Sequence, residues 1–293
     1  MKIVDINSGL GNQMFQYALY IFLKNNYKDV YVNLESFEKN YLYNGNGYEL
    51  EKIFNIKFKN KKDIKFLHSN NIFFKILKKI LLLNGIIFDD YKELEKNFQI
   101  EDIKKKLGSK YKIIYRGCWQ SEKYFLKFEK EIRGVFKFPE IIDEKNLKIK
   151  DKILKGNSVS IHVRRGDYLT YDLLKNLAPL FYYEAAIKYI LEKVKNPIFF
   201  IFSNDIEWCK NNLKINFPTY YIDWNKEKES FRDMQLMSLC KYNIIANSSF
   251  SWWGAWLNNK PNKIVIAPEK WINDEEKYYK EIVPDSWIKM KNY

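Results

Sequence analysis

The feature of this sequence that most restricts its fold is a regular alternation of strand-like and helix-like segments after residue 157. The strand-like runs are SVSIHV (158–163), IFFIFS (198–203), TYYID (219–223), NIIAN (243–247) and KIVIAP (263–268). Helix-like segments separate them. This alternation predicts a parallel, doubly wound α/β sheet with right-handed crossovers. In such sheets, ligands bind beyond the carboxyl ends of the strands.

The N-terminal part of the chain opens like the start of a second βαβ unit. A strand-like run at 2–6 is followed by the Gly-rich segment NSGLGNQ (7–13), a helix-like segment and the strand-like run DVYVNL (29–34). A further strand-like run, KIIYRGCW, occupies 112–119. The sequence thus predicts a parallel α/β sheet here too, with the Gly-rich segment as a turn before the first helix.

The chain is long enough for two domains of ordinary size, since it has 293 residues of which 46% are hydrophobic. Residues 40–110 show no clear pattern and are predicted to be mostly helical. The polar stretch 140–157 is where a boundary between domains is expected. We therefore predict an N-terminal domain of residues 1–153 and a C-terminal domain of residues 154–293.

Polar side chains follow each strand-like run of the C-terminal half, at the edge where a ligand is expected. They are Arg164, Arg165, Asp167, Asn204, Asp205, Asp223, Asn247, Ser248, Ser249 and Glu269. Two of them, Asp205 and Ser249, are predicted to be helix N-caps. Their recurrence at successive strand ends favours a binding site over a series of unrelated caps.

Arginine is scarce in this chain, with only five among the 50 Lys and Arg residues, yet Arg164 and Arg165 are adjacent. The guanidinium group is a rigid fork of donors that binds phosphate or carboxylate through two hydrogen bonds. The helix predicted to start near Ser248 and Ser249 would add backbone N–H groups suited to an anion. These residues together predict a phosphate site.

Several other kinds of site are absent from the sequence. It contains no GxxxxGK[ST] loop, no HExxH, no Cys/His cluster and no Asp-x-Asp, and GLGNQ does not match GxGxxG. We therefore expect a diphosphate site that uses fixed cations and helix dipoles, with no metal and no cofactor. The three cysteines are widely spaced and the N-terminus does not resemble a signal peptide, which favours a cytoplasmic protein.

Longer motifs show a resemblance to a known family. GLGNQMFQYA (9–18), HVRRGDY (162–168), SNDIEWCK (203–210) and DMQLMSLCKYNIIANSSFSWWGAWL (233–257) resemble the bacterial α-1,2-fucosyltransferases of glycosyltransferase family 11. The shorter GCWQSEKYF (117–125) is similar as well. The motifs run from the first strand to beyond residue 250, so the resemblance covers nearly the whole chain.

This resemblance implies a GT-B-like fold, in which two Rossmann-like domains face each other across a cleft. The N-terminal domain would bind the acceptor and the C-terminal domain the nucleotide sugar. It further implies that L-fucose passes from GDP-fucose to the 2-hydroxyl of a β-galactoside, with inversion at the anomeric carbon and no metal. The expected partners are GDP-fucose and a galactose-terminated oligosaccharide, in surface polysaccharide or lipopolysaccharide synthesis, and no nucleic acid.

The same resemblance assigns roles to individual residues. The resemblance makes Arg164 the catalytic residue that holds the β-phosphate of the leaving group. Asp167 is the first candidate for the general base because it is the motif carboxylate nearest the arginines. The substrate-binding residues would be Gly11, Asn12, His162, Arg165, Asn204, Asp205, Asp233, Ser248 and Ser249. Asp233 would read guanine, and Asn12 would lie near the acceptor and the donor phosphate. Asp167 could instead orient Arg165 or the fucose hydroxyls.

Other interpretations of these residues stay open at the level of sequence. His162 could be a buried strand histidine without a ligand, and Asp233 could be a carboxylate that only favours a helix dipole. The indoles of Trp252, Trp253 and Trp256 are predicted to belong to the core.

Other interpretations of the protein stay open too. It could be a metal-independent GT-B transferase for another nucleotide sugar, a non-catalytic sugar-binding module or, given its net charge of +14, a nucleic-acid-binding protein. The scarcity of arginine argues against the last of these.

Residues 71–88, NIFFKILKKILLLNGIIF, resemble an amphipathic helix with a basic stripe of Lys75, Lys78 and Lys79. Such a helix could lie in a membrane interface and hold the enzyme on the cytoplasmic face of the inner membrane. It could equally be an ordinary helix that packs on the core.

Overall fold

The structure, a computed structural model, describes residues 1–38, 46–59, 61–62, 64, 69–84, 86–89, 113–273 and 281–293. The chain divides into two compact units, Met1–Phe138 and Pro139–Tyr293. Each described unit contains a parallel sheet with helices, as the alternation of segments predicts.

Unit 1 is built on a four-stranded parallel sheet with the strand order β2-β1-β4-β3. Its elements are β1 (Lys2–Asp5), α1 (Leu10–Asn26), β2 (Val30–Asn33), α2 (Glu35–Glu38), α3 (Leu50–Phe54), α4 (Ile72–Leu83), β3 (Ile87–Asp89), β4 (Ile113–Arg116) and α5 (Glu129–Val135), with short 3-10 helices at Glu122–Tyr124 and Leu126–Phe128. β1 lies between β2 and β4, so the carboxyl ends of β1 and β4 are neighbours.

Unit 2 is built on a six-stranded parallel sheet with the strand order β10-β9-β8-β5-β6-β7. Its elements are α6 (Glu144–Lys155), β5 (Asn157–Val163), α7 (Leu180–Lys193), β6 (Pro197–Ser203), α8 (Ile206–Asn212), β7 (Thr219–Ile222), α9 (Phe231–Leu239), β8 (Tyr242–Ile244), α10 (Ser249–Leu257), β9 (Val265–Pro268) and β10 (Ile288–Met290), with 3-10 helices at Gly166–Leu169 and Glu227–Glu229. The chain runs outward from β5 to β7 and then returns to β8 on the other side of β5.

The two faces of β5 differ in character. Val159, Ile161 and Val163 belong to a buried apolar core that also includes residues of α7 and β6. On the opposite face, Ser160 accepts a hydrogen bond from the Asn243 side chain at 2.7 Å. His162 shares that polar face because side chains alternate along a strand.

The indoles predicted as core are buried. Trp252, Trp253 and Trp256 on α10 are at most 3% exposed. Met234 and Met237 on α9 are equally buried, and α9 and α10 pack against each other. The prediction that these indoles belong to the core is confirmed.

The boundary between the units differs from the sequence prediction. It lies between Phe138 and Pro139, whereas the sequence suggested 153/154. The polar stretch 140–157 forms α6, which packs on β5 and α9. Because α6 buries Asn146, Ile149 and Ile153 and exposes its lysines, it reads as polar in sequence although it is part of unit 2.

Two local predictions are corrected by the structure. The Gly-rich segment is not a turn throughout, because α1 already begins at Leu10 and so includes Gly11 and Asn12. Residues 71–88 are not one helix, because α4 ends at Leu83 and the strand β3 begins at Ile87. Of the range 40–110, predicted to be mostly helical, the described residues form α3, α4 and the strand β3, joined by segments that are not helical. The rest of that range lies outside the described residues.

Candidate functional site

The carboxyl ends of β5 and β8 mark a topological switch point, since the chain leaves β5 in one direction and returns to β8 on its other side. In open parallel sheets, the crevice at such a point is where ligands bind. The loop after β5 carries Arg164 and Arg165, and the loop after β8 carries Ser248 and the start of α10. The sheet therefore brings together residues that are more than 80 positions apart in sequence.

Arg165 is held in place by three contacts with the segment that follows β6. Its Nε donates to Asp205 Oδ2 at 3.0 Å, and its guanidinium carbon lies 4.3 Å from the ring centroid of Trp208. Its backbone N–H donates to Asn204 Oδ1 at 2.9 Å. Since Nε is occupied, the two Nη groups are the part of the fork that a ligand can use.

Asp205 and Gly166 explain why this arrangement is rigid. Asp205 is the N-cap of α8, as predicted, and its Oδ1 accepts from the backbone N–H of Trp208 at 3.1 Å. Gly166 has a φ of +56°, and a Cβ there would overlap the side-chain nitrogen of Asn204. Glycine is therefore required at this position for both backbone conformation and space.

Arg164 forms an ion pair with Asp167, in which Nη2 donates to Oδ1 at 2.7 Å. The guanidinium carbon of Arg164 also lies 5.1 Å from the centroid of the Tyr168 ring. Asp167 is 65% exposed, so its pairing with Arg164 has little effect on stability. The pairing does fix the direction of the Arg164 side chain. One of the alternatives left open by the sequence, that Asp167 orients Arg165, is therefore not the pairing seen here.

His162 is buried on β5, and its Nδ1 has no hydrogen-bond partner among the described residues. Burial, with a smaller contribution from the charge of Arg164, lowers the pKa of His162 to about 3. The imidazole is therefore neutral at physiological pH. Its ring centroid is 5.8 Å from that of Phe250 on α10, so it lies between the β5 loop and the start of α10.

The loop after β8 turns directly into α10. Ser248 is the N-cap of this helix and Ser249 is its first residue, so the prediction of Ser249 as the cap was wrong by one position. In the described part of the chain, no side chain caps the helix, and its first turn holds no acidic residue. The first turn of α10 therefore places no carboxylate of its own at the positive end of the helix dipole.

Asp233 lies in the first turn of α9, close after the carboxyl end of β7. Its Oδ1 accepts a hydrogen bond from Asn225 Nδ2 at 2.7 Å. The residue is half-buried, and the surrounding protein raises the pKa of its carboxyl to about 8, an effect that the Asn225 bond only partly offsets. A carboxyl of this kind is suited to a ligand that supplies further N–H donors.

In unit 1 the predicted residues Gly11 and Asn12 lie beside the carboxyl ends of β1 and β4. Asn12 Oδ1 accepts from Gln120 Nε2 at 2.7 Å, and Gln16 Nε2 donates to the carbonyl of Gly117 at 2.9 Å. Gln13 donates to the carbonyl of Ser8 at 2.8 Å. These amides fix the segment that joins β1 to α1 and leave Asn12 partly exposed.

The structure thus assembles most of the predicted residues in unit 2. The loops after β5, β6 and β8 hold Arg164, Arg165, Asp167, Asn204, Asp205, Ser248 and Ser249, and β5 itself holds His162. Asp233 lies two strands away, beyond β7, and Gly11 and Asn12 belong to unit 1. Sequence reasoning assigned no role to Gly166, Trp208, Gln120, Asn146 or Asn225. Of these, Gly166, Trp208 and Gln120 carry a sequence signal, since they lie inside the motifs HVRRGDY, SNDIEWCK and GCWQSEKYF.

The described residues show neither a metal cluster nor a membrane-spanning helix. They contain no cluster of three or more His, Cys, Asp or Glu side chains that could hold a metal ion. Among these residues, no helix has the length and apolar character needed to cross a lipid bilayer.

Comparison with known proteins decides the family. The model of glycosyl transferase family 11 matches residues 1–291. The chain belongs to glycosyltransferase family 11. It is therefore a glycosyltransferase, which favours the enzyme over a nucleic-acid-binding protein or a non-catalytic module.

Two full-length relatives of this family 11 enzyme come from Escherichia coli. An α-1,2-colitosyltransferase is 36% identical over 306 residues, which cover 99% of this chain and 98% of the relative. The O-antigen biosynthesis glycosyltransferase WbnK is 32% identical over 315 residues, which cover 97% of this chain and 99% of the relative.

The fold also resembles that of a solved fucosyltransferase. NodZ from Bradyrhizobium matches with a TM-score of 0.52 and 14% identity, over 86% of this chain and 91% of NodZ. A NodZ α-1,6-fucosyltransferase crystal soaked with GDP-fucose matches with a TM-score of 0.51. The fold of this family 11 enzyme is α/β and GT-B-like, as its sequence motifs imply.

Proposed function

We propose that this family 11 glycosyltransferase transfers L-fucose from GDP-fucose to the 2-hydroxyl of a β-galactoside, with inversion and formation of an α-1,2 linkage. The product would belong to a surface polysaccharide or lipopolysaccharide. The observation that carries the proposal is the set of fixed donors at the switch point of unit 2: the guanidinium groups of Arg164 and Arg165 and the uncapped start of α10. These groups suit the diphosphate of a nucleotide sugar.

In the proposed reaction, the bond between the sugar's anomeric carbon and the β-phosphate oxygen breaks. The acceptor oxygen forms the new bond from the opposite face and releases its proton. The electron pair of the broken bond stays on the diphosphate, so negative charge grows there in the transition state. We propose that Arg164 stabilises that charge, with Arg165, Ser248 and Ser249 in support, so that the reaction would not require a metal.

Asp167 remains the first candidate for the group that accepts the acceptor proton. Its ion pair with Arg164 at 2.7 Å supports a second role, the positioning of that arginine. The two roles predict different pH–rate profiles for Asp167→Asn, because only a lost base changes the acidic limb of the profile.

His162 contributes as a neutral group in this proposal. With a pKa of about 3 it carries no charge near pH 7, so it cannot serve as an additional cation for phosphate. An N–H or a lone pair of the imidazole is all that it can offer a ligand. The alternative, a buried histidine that only packs against Phe250, agrees with the same geometry.

Asp233 is proposed to read the guanine base. Guanine presents its N1–H and 2-amino groups side by side, and one carboxylate can accept both. The support is the half-buried carboxyl with a pKa of about 8 and one donor from the protein, Asn225. A helix-dipole role alone would not require burial of the carboxyl.

The identity of the transferred sugar has a specific alternative. Colitose is fucose without the 3-hydroxyl, and a relative with 36% identity is an α-1,2-colitosyltransferase. A second candidate function is therefore transfer of colitose, or of another nucleotide-linked sugar, by the same chemistry. On either reading, Gly11 and Asn12 of unit 1 are proposed to contribute to acceptor binding.

We also propose that the enzyme is cytoplasmic and touches the inner membrane through α4. One arc of this helix exposes large apolar side chains, between 48% and 80% exposed: Ile72, Phe73, Ile76, Ile80 and Leu83. The opposite side packs through Leu81 and Leu82 on the core of unit 1. The exposed Lys75 and Lys79 lie beside the apolar arc, and this combination suits an anionic lipid surface.

A product assay tests the proposed function. The purified enzyme is incubated with GDP-fucose, GDP-colitose, GDP-mannose and UDP-galactose, each with a β-galactoside and with a matched 2-deoxygalactoside, and products are detected by mass spectrometry. We expect a fucosylated galactoside and no product from the 2-deoxy acceptor. Colitosyl transfer without fucosyl transfer would establish the second candidate, and a product from the 2-deoxygalactoside would disprove the linkage.

A further inference from the structure

Behind Asp233 lies a chain of buried amides that none of the sequence motifs predicts. Asn146 on α6 is 2% exposed and Asn225, just after β7, is 9% exposed. Their side chains bond reciprocally: Asn146 Nδ2 donates to Asn225 Oδ1 at 2.7 Å, and Asn225 Nδ2 donates to Asn146 Oδ1 at 3.1 Å. Asn225 Nδ2 also donates to Asp233 Oδ1 at 2.7 Å.

The orientation of the Asn146 amide is determined by two partners, one of which can only donate a hydrogen bond and the other only accept one. Trp224 Nε1, which can only donate, lies 2.9 Å from Asn146 Oδ1. Asp143, which as a carboxylate only accepts, takes a bond from Asn146 Nδ2 at 3.0 Å and caps α6 through Asn146 N at 2.8 Å. If the Asn146 amide were flipped, its nitrogen would face the Trp224 donor and its oxygen would face the Asp143 acceptor, and both hydrogen bonds would be lost.

The orientation of Asn146 then determines that of Asn225. Asn146 Nδ2 is a donor, so the oxygen of the Asn225 amide must face it. Asn146 Oδ1 is an acceptor, so the nitrogen of the Asn225 amide must face that atom. The remaining N–H of Asn225 therefore always points at Asp233. Because both amides are buried, breaking any one of these bonds leaves a polar group unsatisfied, which makes the chain cooperative.

The Asp233 carboxylate needs such a fixed donor if it is to accept two bonds from one ligand. The last torsion of an Asp side chain is broad, so an unrestrained carboxylate can rotate. One hydrogen bond from a ligand tolerates that rotation, whereas a parallel pair requires both oxygens in the plane of the donors. Among the described residues only Asn225 donates to the Asp233 side chain, so its other lone pairs remain available.

We propose that Asn225, held by Asn146, is a positioning residue that fixes the plane of the Asp233 carboxylate and thereby sets the preference for a base with two adjacent N–H donors over a base with one. The inference rests on the proposed reading of guanine by Asp233. It adds the residues that make that reading selective. It predicts that loss of Asn225 weakens the contribution of the 2-amino group to affinity, whereas the affinity for a nucleotide without that group changes little.

The test compares the affinities of GDP and IDP, which lacks the 2-amino group, for wild type, Asn225→Ala, Asn146→Ala and Asp233→Asn by calorimetry. Asn292→Ala is the matched control. Asn292 is also 1% exposed and its Nδ2 makes two bonds, to the carbonyls of Leu177 and Lys270, at the β10 edge of the sheet. We expect wild type to prefer GDP by about 10–100-fold, the range for one hydrogen bond to a charged group.

Asn225→Ala and Asn146→Ala should reduce that preference to less than about threefold while IDP affinity changes little, and Asn292→Ala should retain it. If both alanine variants keep the wild-type preference and lose only thermal stability, as the control does, the positioning role is overturned although guanine reading stands. If wild type does not distinguish GDP from IDP, the guanine proposal itself fails. Should Asn225→Ala not fold, Asn225→Ser gives the same comparison with a smaller cavity.

Discussion

Replacing Asp233 by Asn should make the protein more stable and its nucleotide binding weaker. An Asp carboxyl in an unfolded chain has a pKa of roughly 3.9. In the folded enzyme, burial raises the pKa of Asp233 to about 8. The folded state therefore holds a proton that the unfolded state releases, and this group's contribution to stability is lost as the pH rises from about 4 towards 8.

Between the unfolded pKa of roughly 3.9 and pH 7, the raised pKa of Asp233 lowers the free energy of unfolding by ~1.36 kcal/mol per pH unit. At pH 7 the loss is therefore at most about 4 kcal/mol. Asp233 is only half-buried, so about half of this, ~2 kcal/mol, is the more realistic gain for an uncharged replacement. Asn has a carbonyl oxygen that can still accept from Asn225. We expect the melting temperature of the Asp233→Asn variant at pH 7 to rise by roughly 4–8 °C, and the gain to shrink as the pH is lowered towards 4.

Nucleotide binding should change in the opposite direction. Ionising a carboxyl with a pKa of about 8 at pH 7 costs about 1.4 kcal/mol, whereas two charge-assisted bonds to guanine contribute roughly 3–6 kcal/mol. After allowance for one neutral bond of about 1 kcal/mol that Asn can still accept, GDP affinity should fall by about 3–400-fold. Wild-type affinity should also strengthen by up to tenfold per pH unit below 8 and level off above it, and this slope should be absent from Asp233→Asn.

Scanning calorimetry and isothermal titration between pH 6 and 8.5 measure both effects. Because the GDP phosphates titrate in the same range, the informative quantity is the ratio of wild-type to variant affinity at each pH. A variant that binds GDP like wild type with the same pH profile would show that guanine is read elsewhere. Asp205 and Asp223 would then be the carboxylates to substitute next.

Four further predictions concern other parts of the molecule. Arg164→Lys keeps the charge but loses the fork, so kcat should fall by about 10²–10³-fold; near wild-type turnover would exclude a role for Arg164 at the leaving group. Gly166→Ala should cost roughly 1–2 kcal/mol in denaturant unfolding because of its positive φ, whereas Gly134→Ala, with open space around its Cβ and a helical backbone, should not destabilise; equal losses would contradict the strain argument. Activity should survive EDTA and change little on addition of Mg²⁺ or Mn²⁺; loss on chelation with recovery in Mn²⁺ would reveal a metal-dependent diphosphate site. Anionic liposomes should sediment the enzyme in low salt, and Ile76→Glu should abolish this whereas Leu191→Glu, an isolated exposed leucine on α7, should not; equal sedimentation of all three proteins would refute contact through α4.

Much of unit 2 could be predicted from sequence because its central strands are buried on both faces. Runs such as IFFIFS, in β6, are apolar almost throughout, as expected of strands in parallel sheets covered by helices. β10 was missed because its three residues, Ile288–Met290, are too few to show such a pattern, and the middle one, Lys289, is exposed. The unit boundary was misplaced because α6 exposes most of its residues, and its few buried ones do not outweigh its lysines in the sequence.

The candidate site divides in the same way. Residues on loops after neighbouring strands, such as Arg165 and Asp205, could be predicted to meet because parallel strands end at one edge of a sheet. The bond between Asn146 and Asn225 could not, since the two residues are 79 positions apart and an asparagine amide leaves no periodic signal. Nor could sequence show that Asp167 pairs with Arg164 and not with Arg165, because that depends on the backbone after β5.

The insertion of β8 beside β5 has a consequence for how this enzyme folds. Val159 pairs with Tyr242, 83 residues later (242 − 159), and closing a loop of that length costs roughly 4 kcal/mol of chain entropy. Contacts of such separation form late, since local helices and hairpin-length contacts need less ordering. During synthesis, Arg164 and Arg165 also leave the ribosome more than 80 residues before Ser249, where α10 begins. A growing or truncated chain that ends before residue 242 would have no complete phosphate site, so nucleotide binding reports that unit 2 has finished folding.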